Sequence, residues 1–442
     1  MTPVHNIPTE VLQEIFLFAI SDRIREPSRR APILYSCYPT YTSSTSPYSI
    51  SHVCKRWRDI SINFPDLWTY LSIQNPKSLN LVCFIKEWIN RSSRSSELPL
   101  HLALREFTAE SSAGRALSRP YREVTKAVLS VFLESLHRCK TFVLDIEIPL
   151  DDLIDAGHIQ TQYPTSLDCV SLGISKASSS ASRLFLSNLL RASTLLSIWI
   201  FVPIQLQDIS TSWDNLQHLT FHESVYAEYE LPQLLSHCRR LESLEAHSSF
   251  IGITPEHKIT LPHLQRMTLN WMNGITMFLM SLKVPALSGL VLSCHHPLDE
   301  FPIVEMLTKS NATLKSLEIN GVIPGDFGVL SILTAACLTG LESLRLSDMP
   351  RPGHVAPGRS NAVVWAQVIL LLITSNSTTW QYFPHLQHFS LLTQNTGGLE
   401  QAHFESVAQS RLFECDTEII RKHSSLRVSS GLIDFSLTIP PK

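Results

Sequence analysis

The chain has 442 residues, 44% of them hydrophobic and 17% charged, which is enough apolar material for a large core and too much for a wholly disordered chain. Lys and Arg number 36 against 39 Asp and Glu, a net charge of −3, so the electrostatic footprint of a phosphate-backbone binder is missing. Gly is scarce at 15, and no G-x-G-x-x-G or G-x-x-x-x-G-K-[ST] occurs, which excludes the usual glycine-cradled phosphate sites.

The N-terminal residues Met1–Ile7 have no basic n-region, and Glu10 and Glu14 interrupt the apolar stretch behind them, so no secretory signal is expected. Over Ile7–Ala19 apolar residues fall at Val11, Leu12, Ile15, Phe16 and Ala19, the spacing of an amphipathic helix. Pro8 suits its first turn, where a missing N–H is no loss, and Glu10 and Glu14 sit near the positive end of its dipole. Pro27–Tyr48 is rich in Ser, Thr, Pro and Tyr and reads as a loop. A second helix is expected over Ser49–Trp68, with Val53, Trp57 and Ile60 on one face and Pro65 ending it.

These residues carry a resemblance. Ile7-Pro8-Thr9-Glu10-Val11-Leu12 followed by Ile15-Phe16 resembles the opening of an F-box. Val53-Cys54-Lys55-Arg56-Trp57-Arg58-Asp59-Ile60 followed by Pro65-Asp66-Leu67-Trp68 resembles its second half, and the departure is an insertion at about residues 22–48. The resemblance implies a small helical module, residues 1–66, that docks on the Skp-type adaptor of a cullin–RING ubiquitin ligase by laying apolar anchors in the partner's groove. Carried over by position, the adaptor-binding residues would be Ile7, Pro8, Val11, Leu12, Ile15, Val53, Cys54 and Trp57. The alternative for Val53, Ile60 and Phe16 is that they hold the module's own core.

Residues 67–442 repeat a phrase, L-x-x-L-x-L followed by a helical stretch. It starts at residues 167, 195, 216, 241, 264, 287, 314, 341 and 386, and seven of the eight steps fall in the 20–29 residue period of leucine-rich repeats. The last step, of 45, carries the insertion Pro350–Ser360. Alternation within the phrase is that of a strand with its leucines on one face. Helical patterns lie between, at Leu298–Ser310, Asp326–Cys337 and Asn361–Ser375. Upstream, Leu67–Ile73, Leu98–Leu104 and Phe142–Ile148 read as irregular first strands, with helices at Ser78–Arg91 and Tyr121–Arg138. The expectation is an α/β chain: an N-terminal helical F-box, then a leucine-rich-repeat-like solenoid with parallel strands on the concave face and helices outside. The family's Asn or Cys, eight residues after the first Leu, is replaced by Ser224, Ser249, Met272, His295, Val322, Met349 and Gln394, so the repeats should be irregular.

Positions 3, 5 and 7 of each phrase point away from the leucines. They bring His218, His222, Glu245, His247, Arg266, Asn270, Glu318 and Arg345 to one polar face of mixed charge, the candidate surface for a target protein. Solvated strand residues would show the same pattern. The cluster Cys294-His295-His296 has no second ligand pair at zinc spacing, no H-E-x-x-H or G-x-S-x-G occurs, and no RING-type Cys/His array is present. The nine cysteines are odd in number and widely spaced, as for free thiols of a reducing compartment. The expectation is therefore a non-catalytic receptor subunit of the cytoplasm or nucleus. It would need no metal or cofactor, and its partners would be the adaptor, the cullin ligase core and a target protein, not nucleic acid or membrane. A repeat scaffold whose F-box no longer docks is the alternative.

Overall fold

The computed structural model describes residues 7–21, 46–76, 78–93, 98–106, 119–154, 164–174, 179–201, 213–222, 230–247, 256, 258–271, 275–294, 299–321, 328–347, 368, 375–376, 379–380, 383–393, 424–429 and 432–438. They form two compact units, Met1–Leu216 and Gln217–Lys442. The architecture is α/β, with mostly parallel sheet and intervening helices.

The first unit opens with α1 (Thr9–Ser21), α2 (Pro47–Ser51), α3 (Lys55–Ile62) and a 3-10 turn, Pro65–Trp68. The single helix expected over Ser49–Trp68 is thus three pieces. Cys54 is fully extended (φ −159°, ψ 171°) and starts α3 afresh. Phe64, preceding Pro65, is pushed out of the helical region (φ −115°, ψ 90°) because the proline ring crowds its backbone. The expected loop Pro27–Tyr48 also ends earlier than its composition suggests. Ser46 caps α2, its Oγ accepting from the Ser49 N–H at 3.3 Å, and Pro47 occupies the first turn.

Then follow β1 (Tyr70–Gln74), α4 (Asn80–Ser92), β2 (Leu100–Arg105), α5 (Arg119–Glu134), β3 (Cys139–Ile146), α6 (Leu150–Leu153), β4 (Cys169–Ile174), α7 (Ser180–Leu190) and β5 (Ser197–Ile200). The five strands pair in parallel in chain order, with Tyr70 opposite His101, His101 opposite Thr141, Thr141 opposite Cys169 and Cys169 opposite Ser197. An aromatic cluster ties the opening helices to this sheet. Trp68 meets Tyr48 edge-on at 5.1 Å and Trp88 of α4 at 5.0 Å, and the Arg91 guanidinium lies 4.6 Å over the Trp68 ring. The Trp88 indole N–H donates to the Trp68 carbonyl at 2.7 Å, and that of Trp68 to the Ser61 carbonyl at 2.8 Å. Both rings are fully buried, so each needs the acceptor it has.

The second unit contains β6 (His218–His222), α8 (Glu230–His237), β7 (Ser243–His247), β8 (Ile259–Thr260), β9 (Arg266–Trp271), α9 (Ile275–Ser281), β10 (Leu282–Lys283), β11 (Gly289–Cys294), α10 (Glu300–Ser310), β12 (Ser316–Asn320), α11 (Gly328–Leu333), β13 (Ser343–Ser347), β14 (Ser375–Asn376), β15 (Thr379–Trp380), β16 (His388–Thr393), β17 (Ser424–Ser429) and β18 (Leu432–Thr438). Each parallel pairing between the phrase strands keeps the phase of the sequence repeat: His218 faces Ser243, Ser243 faces Arg266, Arg266 faces Gly289, Gly289 faces Ser316, Ser316 faces Ser343, and Ser343 faces His388. The leucine-type positions of all seven phrases are consequently stacked and buried, none more than 4% exposed. Helix residues such as Phe278, Ile303, Met306 and Ile332 complete this core.

Backbone hydrogen bonding repeats as well. The N–H of the first Leu turns back three residues, as from Leu241 to Cys238, Leu287 to Val284 and Leu341 to Leu338. The carbonyl at the second position accepts two N–H groups of the next strand, as Gln265 does from Ser288 and Gly289. The last strands depart from the expected all-parallel order: β18 pairs antiparallel with β16, and β17 antiparallel with β18. Of the expected helices, Asn361–Ser375 lies outside the described residues except for Val368 and Ser375, as do the seven positions that replace the family's Asn or Cys.

Candidate interaction surfaces

Helix α1 has two apolar stripes. Leu12, Phe16 and Ile20 turn inward and are buried, with Phe16 set 4.8 Å from the Trp57 ring of α3. Val11, Ile15 and Phe18, at i, i+4 and i+7, turn outward and are 46%, 43% and 56% exposed. Pro8 is exposed at the start of the helix, and Val53, just ahead of α3, is 61% exposed. The Arg56 guanidinium donates to the Ile7 carbonyl and fixes the entry of α1 against α3. Thr9 and Gln13, with Lys55, Arg56, Asp59, Ile60 and Asn63, line an open groove between the two helices.

The residues assigned by resemblance therefore divide. Pro8, Val11, Ile15 and Val53 present apolar surface to solvent, Ile7 and Cys54 are half-buried, and Leu12 belongs to the module's own core. Trp57 is half-buried against Phe16, and its indole N–H is buried without an acceptor. Phe16 and Ile60 are core as well, whereas Val53 is not. Phe18 was missing from the candidate set. The run Ile15-Phe16-Leu17-Phe18 is its signal, since four consecutive apolar residues span more than one helical stripe.

The sheet face opposite the leucines differs between the units. In the first, its central row, Ser72, Ala103, Val143, Ser171 and Trp199, is at most 8% exposed. There His101 stacks on Tyr70 at 4.1 Å and shares a 2.9 Å hydrogen bond with the Thr141 hydroxyl. Burial, helped by Lys140, lowers the His101 pKa to about 4. Asp145 lies over Gly173, whose missing side chain leaves room for its carboxylate, and burial raises the Asp145 pKa. Glu106 is raised by burial as well, although its Oε2 accepts the N–H groups of Glu147 (2.6 Å) and Ile148 (3.3 Å).

In the second unit the same face is polar and partly open. His218, Arg266 and Arg345 are exposed, and Glu245 and Glu318 are half-buried. His247 and Asn270 are buried, so they contribute to the base of the face and not to its outer surface. His222 holds the corresponding register position, opposite His247. Glu245 accepts from His247 Nε2 at 2.6 Å, Glu318 accepts from Asn320 at 2.9 Å, and Arg345 approaches Glu318 at 3.9 Å. Among the described residues no group of His, Cys, Asp and Glu could hold a metal ion, and the seven cysteines are free thiols. No described helix is long and apolar enough to cross a membrane. No protein-family model matches the chain, and no curated protein is significantly similar to it.

Proposed function

We propose that the protein is a substrate receptor of a Skp–cullin–F-box type ubiquitin ligase. Its N-terminal helical module docks a Skp-type adaptor, its leucine-rich-repeat-like array carries a target protein on the open sheet face, and it works in the cytoplasm or nucleus without catalysing transfer itself. The observation that carries this reading is the outward stripe of α1. Val11, Ile15 and Phe18, with Pro8 at the start of the helix, form an apolar surface on a helix whose core-forming stripe is already satisfied on the other side. Exposed contiguous apolar surface of this kind is the mark of an interaction site, and a helix offering it along i, i+4, i+7 suits helix-in-groove docking.

The test is capture of a Skp-type adaptor by the full chain, wild type against Val11→Asp with Ile15→Asp. Loss of interface anchors costs about 2–4 kcal/mol, so capture should fall by more than tenfold while thermal melting is unchanged. A folded wild-type chain that captures no adaptor, or a double variant that captures it undiminished, overturns the assignment. The first outcome points to the scaffold alternative.

A further inference from the structure

We propose that the open sheet face of the second unit takes an extended acidic segment, two of whose anionic side chains, four residues apart and so on the same side of the segment, are received by Arg266 and Arg345. This rests on the reading of that face as the target surface and adds the chemistry of the occupant.

The charges on this face are not equally available. Both carboxylates are engaged on their own strands, Glu245 by His247 at 2.6 Å and Glu318 by Asn320 at 2.9 Å. Their side chains are 31% and 29% exposed, against 54% for Arg345. Arg345 is tied to Glu318 only loosely, at 3.9 Å, and Arg266 is exposed and makes no ion pair among the described residues. What the surface offers outward is the pair of guanidinium groups, Arg266 and Arg345.

Beside Arg266 the third-position row is low, while Val291 and Glu318 occupy the fifth-position row on the two strands between the arginines. Gly289, Ser316 and Ser343 fill the row after Arg266, and a Cβ added at Gly289 would meet nothing closer than 3.7 Å. Arg266 and Arg345 are three strand steps apart in the sheet and two residues apart along it, on the order of 16 Å at about 4.8 Å per strand and 3.3 Å per residue. Four residues of extended chain keep both side chains on one side and span about 13 Å, and the long arginine side chains make up the remaining few ångströms. Opposite charge at both ends favours an anionic peptide over a basic one. A nucleic acid would want continuous positive charge, which Glu245 and Glu318 interrupt.

Fluorescence anisotropy with the full chain tests this, using ten-residue Ser/Gly peptides. The arms carry two Asp four residues apart, two adjacent Asp, two Lys four residues apart, or two phosphoserines four residues apart, and a single-stranded oligonucleotide serves as a further probe. The spaced acidic peptides should bind, the adjacent-Asp peptide at least fivefold more weakly and the Lys peptide not at all. Arg266→Glu and Arg345→Glu should each weaken binding at least tenfold with unchanged thermal melting. A tenfold preference for the phosphoserine arm assigns the anion to phosphate, and parity or a preference for Asp assigns it to carboxylate. Binding of the Lys peptide or the oligonucleotide as tightly as the acidic ones, or no anionic binding at millimolar peptide, overturns the proposal. Affinity capture with the Arg266→Glu, Arg345→Glu double variant separates the two levels. If it loses its partners while the peptides fail, only the acidic occupant is overturned; if it keeps them, the reading of the face falls too.

Discussion

His101 is the residue at which burial has its clearest consequence for pH. Burial, helped by Lys140, keeps the ring neutral, and its folded pKa is about 4 against 6.5 for a free histidine. The folded state resists a proton that the unfolded chain accepts. The neutral ring's contribution is therefore fully present above about pH 6.5 and is lost as pH falls through 4. At 1.36 kcal/mol per pKa unit, the difference amounts to about 3 kcal/mol. Glu106 and Asp145 act with the opposite sign: their raised pKa values favour the folded state at acid pH, and that contribution is lost as pH rises through them. Total stability thus mixes two trends, and the comparison of His101→Gln with wild type isolates one. The melting temperatures of the two proteins should converge between pH 7 and pH 4, the variant losing less on acidification. Parallel curves would mean that His101 is hydrated or protonated in the folded state.

Helix α1 shows how one element serves two environments. Its inner stripe packs on α3, and its outer stripe is largely exposed. Leu12→Ala and Phe16→Ala should each remove about 3–5 kcal/mol, because a buried side chain leaves a cavity that the surroundings fill only in part. Val11→Asp or Ile15→Asp should stay within about 0.5 kcal/mol, as for exposed positions. Urea unfolding of the four variants separates the stripes. A large loss at Ile15 would show that the outer stripe is core, and the docking assignment would go with it. Trp57 is a poor probe for the same reason, since its ring lies on Phe16 and its removal is a core mutation.

For the molecule as a whole the governing quantity is phase. Every parallel pairing between phrase strands of the second unit preserves the positions of L-x-x-L-x-L, so the array should accept the removal of one whole period more readily than a shorter cut. Deleting residues 266–288 joins Leu264-Gln265 to Gly289-Leu290-Val291-Leu292 and restores the phrase. The product should melt cooperatively at a lower temperature. Deleting 266–287, one residue fewer, shifts the strand by one and turns its leucines to the open face, which should give aggregation or loss of a cooperative transition by circular dichroism. If both deletions behave alike, stacking of the phrases is not what holds the unit together. The antiparallel hairpin β17–β18 covers the far edge of β16, where an unpaired strand would invite association with other chains.

The sequence by itself determined the period, the strand positions, and the face of each strand that is buried, because neighbouring residues carry that information. A leucine at every first, fourth and sixth position commits those side chains to one side wherever the strand lies. It also marked the helices α4, α5 and α10 to within a few residues. Tertiary structure alone decided which of α1's apolar residues are core and which are surface, since Leu12 and Ile15 are equally apolar and differ only in what packs beside them. It decided that Ser46 and Tyr48, read as loop from their composition, cap a helix and join an aromatic cluster with Trp68 and Trp88, residues distant in the chain. It also decided that Glu245 and Glu318 are engaged by their own strands while Arg266 and Arg345 remain open. Local pattern records that a residue prefers burial or water; the neighbours that satisfy the preference come from parts of the chain that the pattern does not connect.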